Sequence, residues 1–111
     1  MSFERACTVA EVRDDEALAV TIEELEVAVA RDGDEFFAVQ NVCSHAEVEL
    51  SEGEVANGTV ECWLHGSCFD LRTGKPTHLP ATEPVATFPV EVRGDEVYVD
   101  VTTTLNGVRP S

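Results

Sequence analysis

Two short clusters in this 111-residue chain carry the side chains best suited to hold a metal. They read Cys43-Ser44-His45 and Cys62-Trp63-Leu64-His65, with sixteen residues between His45 and Cys62. Thiolate sulfur and imidazole nitrogen are the natural ligands of soft and borderline metals, and each needs its partner close by in the fold. One such pair would be a weak signal; two pairs, using two of only three histidines, are a strong one. Four cysteines (Cys7, Cys43, Cys62, Cys68) are also enough for two disulfides. The N-terminal residues Met-Ser-Phe-Glu-Arg-Ala-Cys-Thr show no basic segment ahead of an apolar stretch and no twin arginine, so no export signal is expected. The expected compartment is the reducing cytoplasm, where metal ligation is favoured over stable disulfides.

The elements that must position these clusters read as β-structure. Leu25, Val27 and Val29 alternate with polar or small residues, as do Phe37 and Val39, then Phe88, Val90 and Val92, then Val97, Val99 and Val101. That period of two predicts strands with one buried face. Cys7 alternates with apolar neighbours in a first strand and is expected to be a small core residue. Turns are expected at Asp32-Gly33-Asp34, Asn57-Gly58, Thr73-Gly74-Lys75-Pro76 and Arg93-Gly94-Asp95. Asn57-Gly58, between Val55 and Thr59, is the strongest hairpin signal. A short helical turn competes near Thr21–Leu25, although Val27–Ala30 favour strand. The polar end after Val101 is expected to fray. The predicted architecture is all-β, a small antiparallel sandwich or barrel with its metal motif on two loops. Residues 1–104 form one domain, 42–80 the metal-binding part and 105–111 a tail.

Charge narrows the partners. Seven basic residues against twenty-two acids leave a net charge of −15, which repels nucleic acid and anionic lipid headgroups. Lys75 is the only lysine. The acidity fits an acidic docking face for a basic partner, and equally fits plain solubility. The longest apolar runs (Ala17–Val20, Val27–Ala30, Phe36–Val39) are four residues, so no membrane-spanning helix is expected.

With these elements in place, Cys43-Ser44-His45 and Cys62-Trp63-Leu64-His65-Gly66-Ser67-Cys68-Phe69-Asp70 resemble the two cluster-binding loops of Rieske [2Fe–2S] proteins. The segments Gly74-Lys75-Pro76 and Leu79-Pro80-Ala81-Thr82-Glu83-Pro84 resemble the proline loop that covers the cluster there, and the chain length resembles that of the small Rieske ferredoxins. The resemblance implies that Cys43 and Cys62 hold one iron of a single [2Fe–2S] cluster and His45 and His65 the other. Replacing two thiolates by two imidazoles makes the oxidised site neutral and the reduced site singly negative. A four-cysteine cluster goes from doubly to triply negative, so its electron is harder to add. The Cys₂His₂ donor set also satisfies a structural zinc site, a competing reading without redox chemistry.

Relatives in the cytochrome bc complexes carry a loop disulfide and a tyrosine bonded to a ligand sulfur. The matching positions here are Val48 and Leu64, then Phe69, while Ser67 is retained. Hydrogen bonds to sulfur stabilise the reduced state, so their loss points to a low potential. The resemblance implies a one-electron carrier, not an enzyme. It would pass electrons from a flavin-dependent reductase to a terminal aromatic-ring-hydroxylating non-haem iron dioxygenase, as a cytoplasmic monomer. A Rieske protein of iron–sulfur cluster assembly is the alternative. Once His45 and His65 hold a cluster, only His78 remains, too few for the two-histidine, one-carboxylate iron of an oxygenase. Cys68 is expected to pack inertly, and Trp63 lies either on the rim or beneath the loop.

Overall fold

In a computed structural model, residues 3–42, 48–62, 67–77 and 83–108 are described. Ten strands follow in chain order: β1 (Glu4–Thr8), β2 (Ala17–Ile22), β3 (Leu25–Asp32), β4 (Glu35–Gln40), β5 (Val55–Ala56), β6 (Thr59–Cys62), β7 (Ser67–Asp70), β8 (Thr87–Phe88), β9 (Val90–Arg93) and β10 (Glu96–Val99). Single 3₁₀ turns occupy Val9–Glu11 and Leu50–Glu52. The strands form three antiparallel sheets, β1-β10-β9, β2-β3-β4-β8 and β5-β6-β7.

The four-stranded sheet is the middle layer, and the alternation along β3 shows why. Val27 and Val29 point into a core shared with Cys7, Val97, Val99 and Phe88. Ala28 and Ala30 point the opposite way, into a core shared with Leu50, Val55, Val60, Cys62 and Phe69. All four β3 residues are fully buried. A strand covered on both faces reads as a continuous apolar run, and its period of two sends alternate side chains to different neighbours. The small alanines face the β5-β6-β7 sheet, the bulkier valines the β1-β10-β9 sheet.

Three expectations are corrected. The helical turn near Thr21–Leu25 does not form. β2 pairs with β3 down to Ile22↔Leu25, and Glu23-Glu24 make a two-residue turn with φ of +49° and +70°. Those angles match Asn57-Gly58, at +53° and +74°, where the hairpin was expected. The run Phe88, Val90, Val92 does not share one buried face. Phe88 ends one sheet, Pro89 cannot donate to a ladder, and Val90 begins another; Val92 is 44% exposed. The chain after Val101 is tied down as far as Asn106. The Leu105 N–H donates to the Thr87 carbonyl at 2.8 Å, and the Asn106 amide donates to the Thr73 and Val85 carbonyls at 2.8 Å each.

Candidate metal centre

Three stems converge at the end of β4. The first leaves β4 through Gln40 and Asn41, both buried. Val42 bridges to Glu49, so residues 43–47 connect two paired positions. Asn41 closes this stem with its side-chain amide and its carbonyl, while its backbone N–H donates to the Glu26 carbonyl of β3 at 3.1 Å. Its Nδ2 donates to Glu49 Oε1 at 3.0 Å, its Oδ1 accepts from Ser51 N at 2.9 Å, and its carbonyl accepts from Leu50 N at 2.6 Å. Cys43 and His45 lie outside the described residues.

The second stem is the β6–β7 hairpin. Cys62 is the last residue of β6, not a loop residue, and pairs directly with Ser67 at the start of β7. Both are fully buried, and Cys62 packs in the core that contains Leu50 and Phe69. Trp63, Leu64 and His65 lie between them, outside the described residues. The first stem returns across this hairpin at Gly53, where a Cβ would stand 1.6 Å from the Glu61 carbonyl oxygen. Only glycine permits so close an approach, which lets Glu61 N donate to the Glu54 carbonyl at 2.9 Å, one residue before Cys62.

The third stem runs beside β7. Phe69 bridges to Pro76, and Thr77 N donates to the Cys68 carbonyl at 2.7 Å. Pairing in this direction runs the chain, up to Thr77, toward the Ser67 end of β7, the end that pairs with Cys62. The segment returns through Val85, whose N–H donates to the Gly74 carbonyl at 2.8 Å. His78 and Leu79–Thr82 lie outside the described residues, as do the structural details of the proline segment they contain.

The other described cysteines are packed against their neighbours, and burial shifts both thiols away from the thiolate form. Cys7 is buried, and burial followed by the Glu11 carboxylate pushes its thiol up to about 11. Cys68 is half-buried, and its thiol is also raised, first by burial and then by Glu61, its cross-strand partner. Neither is poised as a thiolate. Val48 packs against the core, and the Phe69 ring is fully buried, with no hydroxyl to offer a sulfur. Away from the stems, the Asp14, Asp15 and Asp32 carboxylates lie within 4.8 Å of one another. Asp14 and Asp32 accept from the N–H groups of Gly33 and Gly58, so they serve the neighbouring turns. Sequence reasoning missed Gln40, Asn41 and Gly53. A glycine just ahead of a strand was the one available signal, for close backbone approach.

The donor set fits a [2Fe–2S] group. Cys43, Cys62, His45 and His65 would supply two sulfurs and two imidazoles, and the one described candidate among them, Cys62, is a buried cysteine outside any disulfide. The chain belongs to the Rieske [2Fe-2S] domain family, whose model matches residues 2–89. The cofactor of this family is a Rieske-type [2Fe–2S] cluster, which displaces the structural-zinc reading. Among its relatives is the 3-phenylpropionate/cinnamic acid dioxygenase ferredoxin subunit of Escherichia coli (strain K12). It is 42% identical over 97 residues, covering 86% of this chain and 91% of that one. Among solved structures, the ferredoxin of carbazole 1,9a-dioxygenase from Nocardioides aromaticivorans IC177 superposes with a TM-score of 0.83 at 40% identity, covering 89% of this chain and 97% of that one. A complex of reduced oxygenase and oxidised ferredoxin in carbazole 1,9a-dioxygenase contains a chain with a TM-score of 0.80 at 35% identity, covering 87% of this chain and 91% of that chain.

Proposed function

We propose that this chain is a Rieske ferredoxin that carries one electron to the terminal oxygenase of an aromatic-ring-hydroxylating dioxygenase system. Its [2Fe–2S] cluster is held by Cys43 and Cys62 on one iron and His45 and His65 on the other. The observation that carries this reading is the match to dioxygenase ferredoxins over 86–89% of this chain and 91–97% of theirs. When bound, the cluster supplies a one-electron couple of the Rieske type. The polypeptide's part is to present it at one end of a stiff sandwich, behind stems whose backbone groups are hydrogen-bonded. The donor is a flavin-dependent reductase, and the protein works as a monomer in the reducing cytoplasm, where Cys7, Cys62 and Cys68 stay unbridged.

Stopped-flow mixing tests the acceptor. The dithionite-reduced, desalted protein is mixed with an oxidised ring-hydroxylating oxygenase, and the visible bands of both are followed. Electron transfer within seconds supports the reading. A protein that takes an electron from dithionite but passes none to any such oxygenase, while transferring it to a cluster-assembly protein, replaces it with the assembly role.

A further inference from the structure

Gln40 makes hydrogen bonds that a strand residue does not ordinarily make with its side chain. It is the last residue of β4 and is 1% exposed, so each polar atom needs a partner. Its backbone N–H donates to the Ala86 carbonyl at 2.9 Å. In a regular antiparallel pair the reciprocal bond would run from Ala86 N to the Gln40 carbonyl. Instead Ala86 N donates to the side-chain Oε1 at 2.8 Å. The other end of the same amide, Nε2, donates to the Val42 carbonyl at 2.8 Å. One planar group thus ties the residue directly before Cys43 to the segment that returns from residues 78–82. Asn41 closes the first stem on itself; Gln40 joins the first stem to the third.

We infer that Gln40 is a positioning residue for electron transfer. Its side chain holds Val42, the residue before Cys43, to Ala86, two residues after Pro84, and through these two described anchors it sets how closely water approaches the cluster. This rests on the ligand assignment proposed above. Water stabilises the reduced, more negative state, so loosening the tie should raise the midpoint potential and speed the loss of iron.

The test uses Gln40→Met, which keeps length and volume but removes both polar ends. Gln40→Glu keeps the acceptor facing Ala86 N and loses the donor facing Val42. Val97→Ala, in the core on the opposite side of the middle sheet, is the control for general destabilisation. Iron release to a chelator, the electron-paramagnetic spectrum, the midpoint and the melting temperature are measured on each loaded protein. Gln40→Met should release iron about tenfold faster, the scale of two lost hydrogen bonds, with an altered spectrum and a raised midpoint. Val97→Ala should melt earlier with wild-type spectrum and midpoint. The inference is overturned if Gln40→Met changes only the melting temperature, or if Val97→Ala shifts spectrum and midpoint equally. Should Gln40→Met not accumulate as folded protein, Gln40→Glu decides on the same readouts, wild-type values overturning the inference. A wild-type protein without a Rieske signal would instead sink the ligand assignment.

Discussion

The proposed ligand set is four side chains, Cys43, His45, Cys62 and His65, and it leaves Cys7 and Cys68 outside. Cys43→Ala and Cys62→Ala should each abolish the Rieske electron-paramagnetic signal and the bound iron, since ligand and local fold are coupled. Cys7→Ser and Cys68→Ser should keep both; loss of signal in either would move the ligand set. A second residue-scale expectation concerns Glu4. Its Oε2 is buried without a hydrogen-bond donor, and burial first, then Glu23, then Asp100, raise its carboxyl above the usual range. A carboxyl raised in the native state contributes stability below its unfolded value and loses that contribution as pH rises through the raised value. Glu4→Gln should therefore melt higher than wild type at neutral pH, with the advantage vanishing near pH ~4. Melting curves across that interval check it, and an advantage that grows on acidification would contradict it.

Among the elements, the two tight turns make an internal comparison. Glu23-Glu24 and Asn57-Gly58 adopt left-handed conformations within a few degrees of each other. Glycine reaches that region freely, whereas a residue with a Cβ is strained there by about 1–2 kcal/mol. Converting the first turn to the second, with Glu23→Asn and Glu24→Gly, should stabilise the protein by about 1 kcal/mol, read as a melting temperature about 4 °C higher. A lower melting temperature would show that the Glu23 carboxylate is needed where it stands. Nothing in a Glu-Glu dipeptide announces a left-handed turn, which is why the sequence suggested a helical turn there. Asn57-Gly58 was legible because its composition is itself the conformational preference. The alternation Phe88, Val90, Val92 ran straight across Pro89, and nothing in it showed that the chain changes sheets there. The alternation in β10 was readable because burial there follows the period of a strand, whereas β3 is buried on both faces and the single buried face expected for it was not found.

At the scale of the whole molecule, the metal chemistry was legible because a cluster demands particular atoms at particular spacings, and the family match agrees with that reading. The scaffolding around it was not. Gln40 and Asn41 look like ordinary polar strand ends, and no one-dimensional pattern distinguishes a polar residue in solvent from a buried one with every atom bonded. The net charge of −15 opposes adding an electron, but counterions screen it over about 8 Å. The missing tyrosine hydroxyl at Phe69 acts directly on the site and is not screened. The midpoint should therefore lie at about −150 mV, the low end of a Rieske range that reaches about +300 mV. Protein-film voltammetry measures it, and a clearly positive value would contradict the ferredoxin reading.

The middle sheet has a consequence for portability. The chain leaves from β4 and returns at β8, and these strands are neighbours, paired at Ala38↔Phe88 and Val39↔Thr87. By connectivity the metal-binding portion is a cassette, inserted where entry and exit lie side by side. By packing it is not, because Ala28, Ala30 and Val39 of the host form one wall of its core. Cut out alone, it would expose the apolar faces of Leu50, Val60 and Phe69 to water. Grafted elsewhere, it would need a recipient sheet with small residues at the positions of Ala28 and Ala30. The centre can be transplanted only together with the wall behind it.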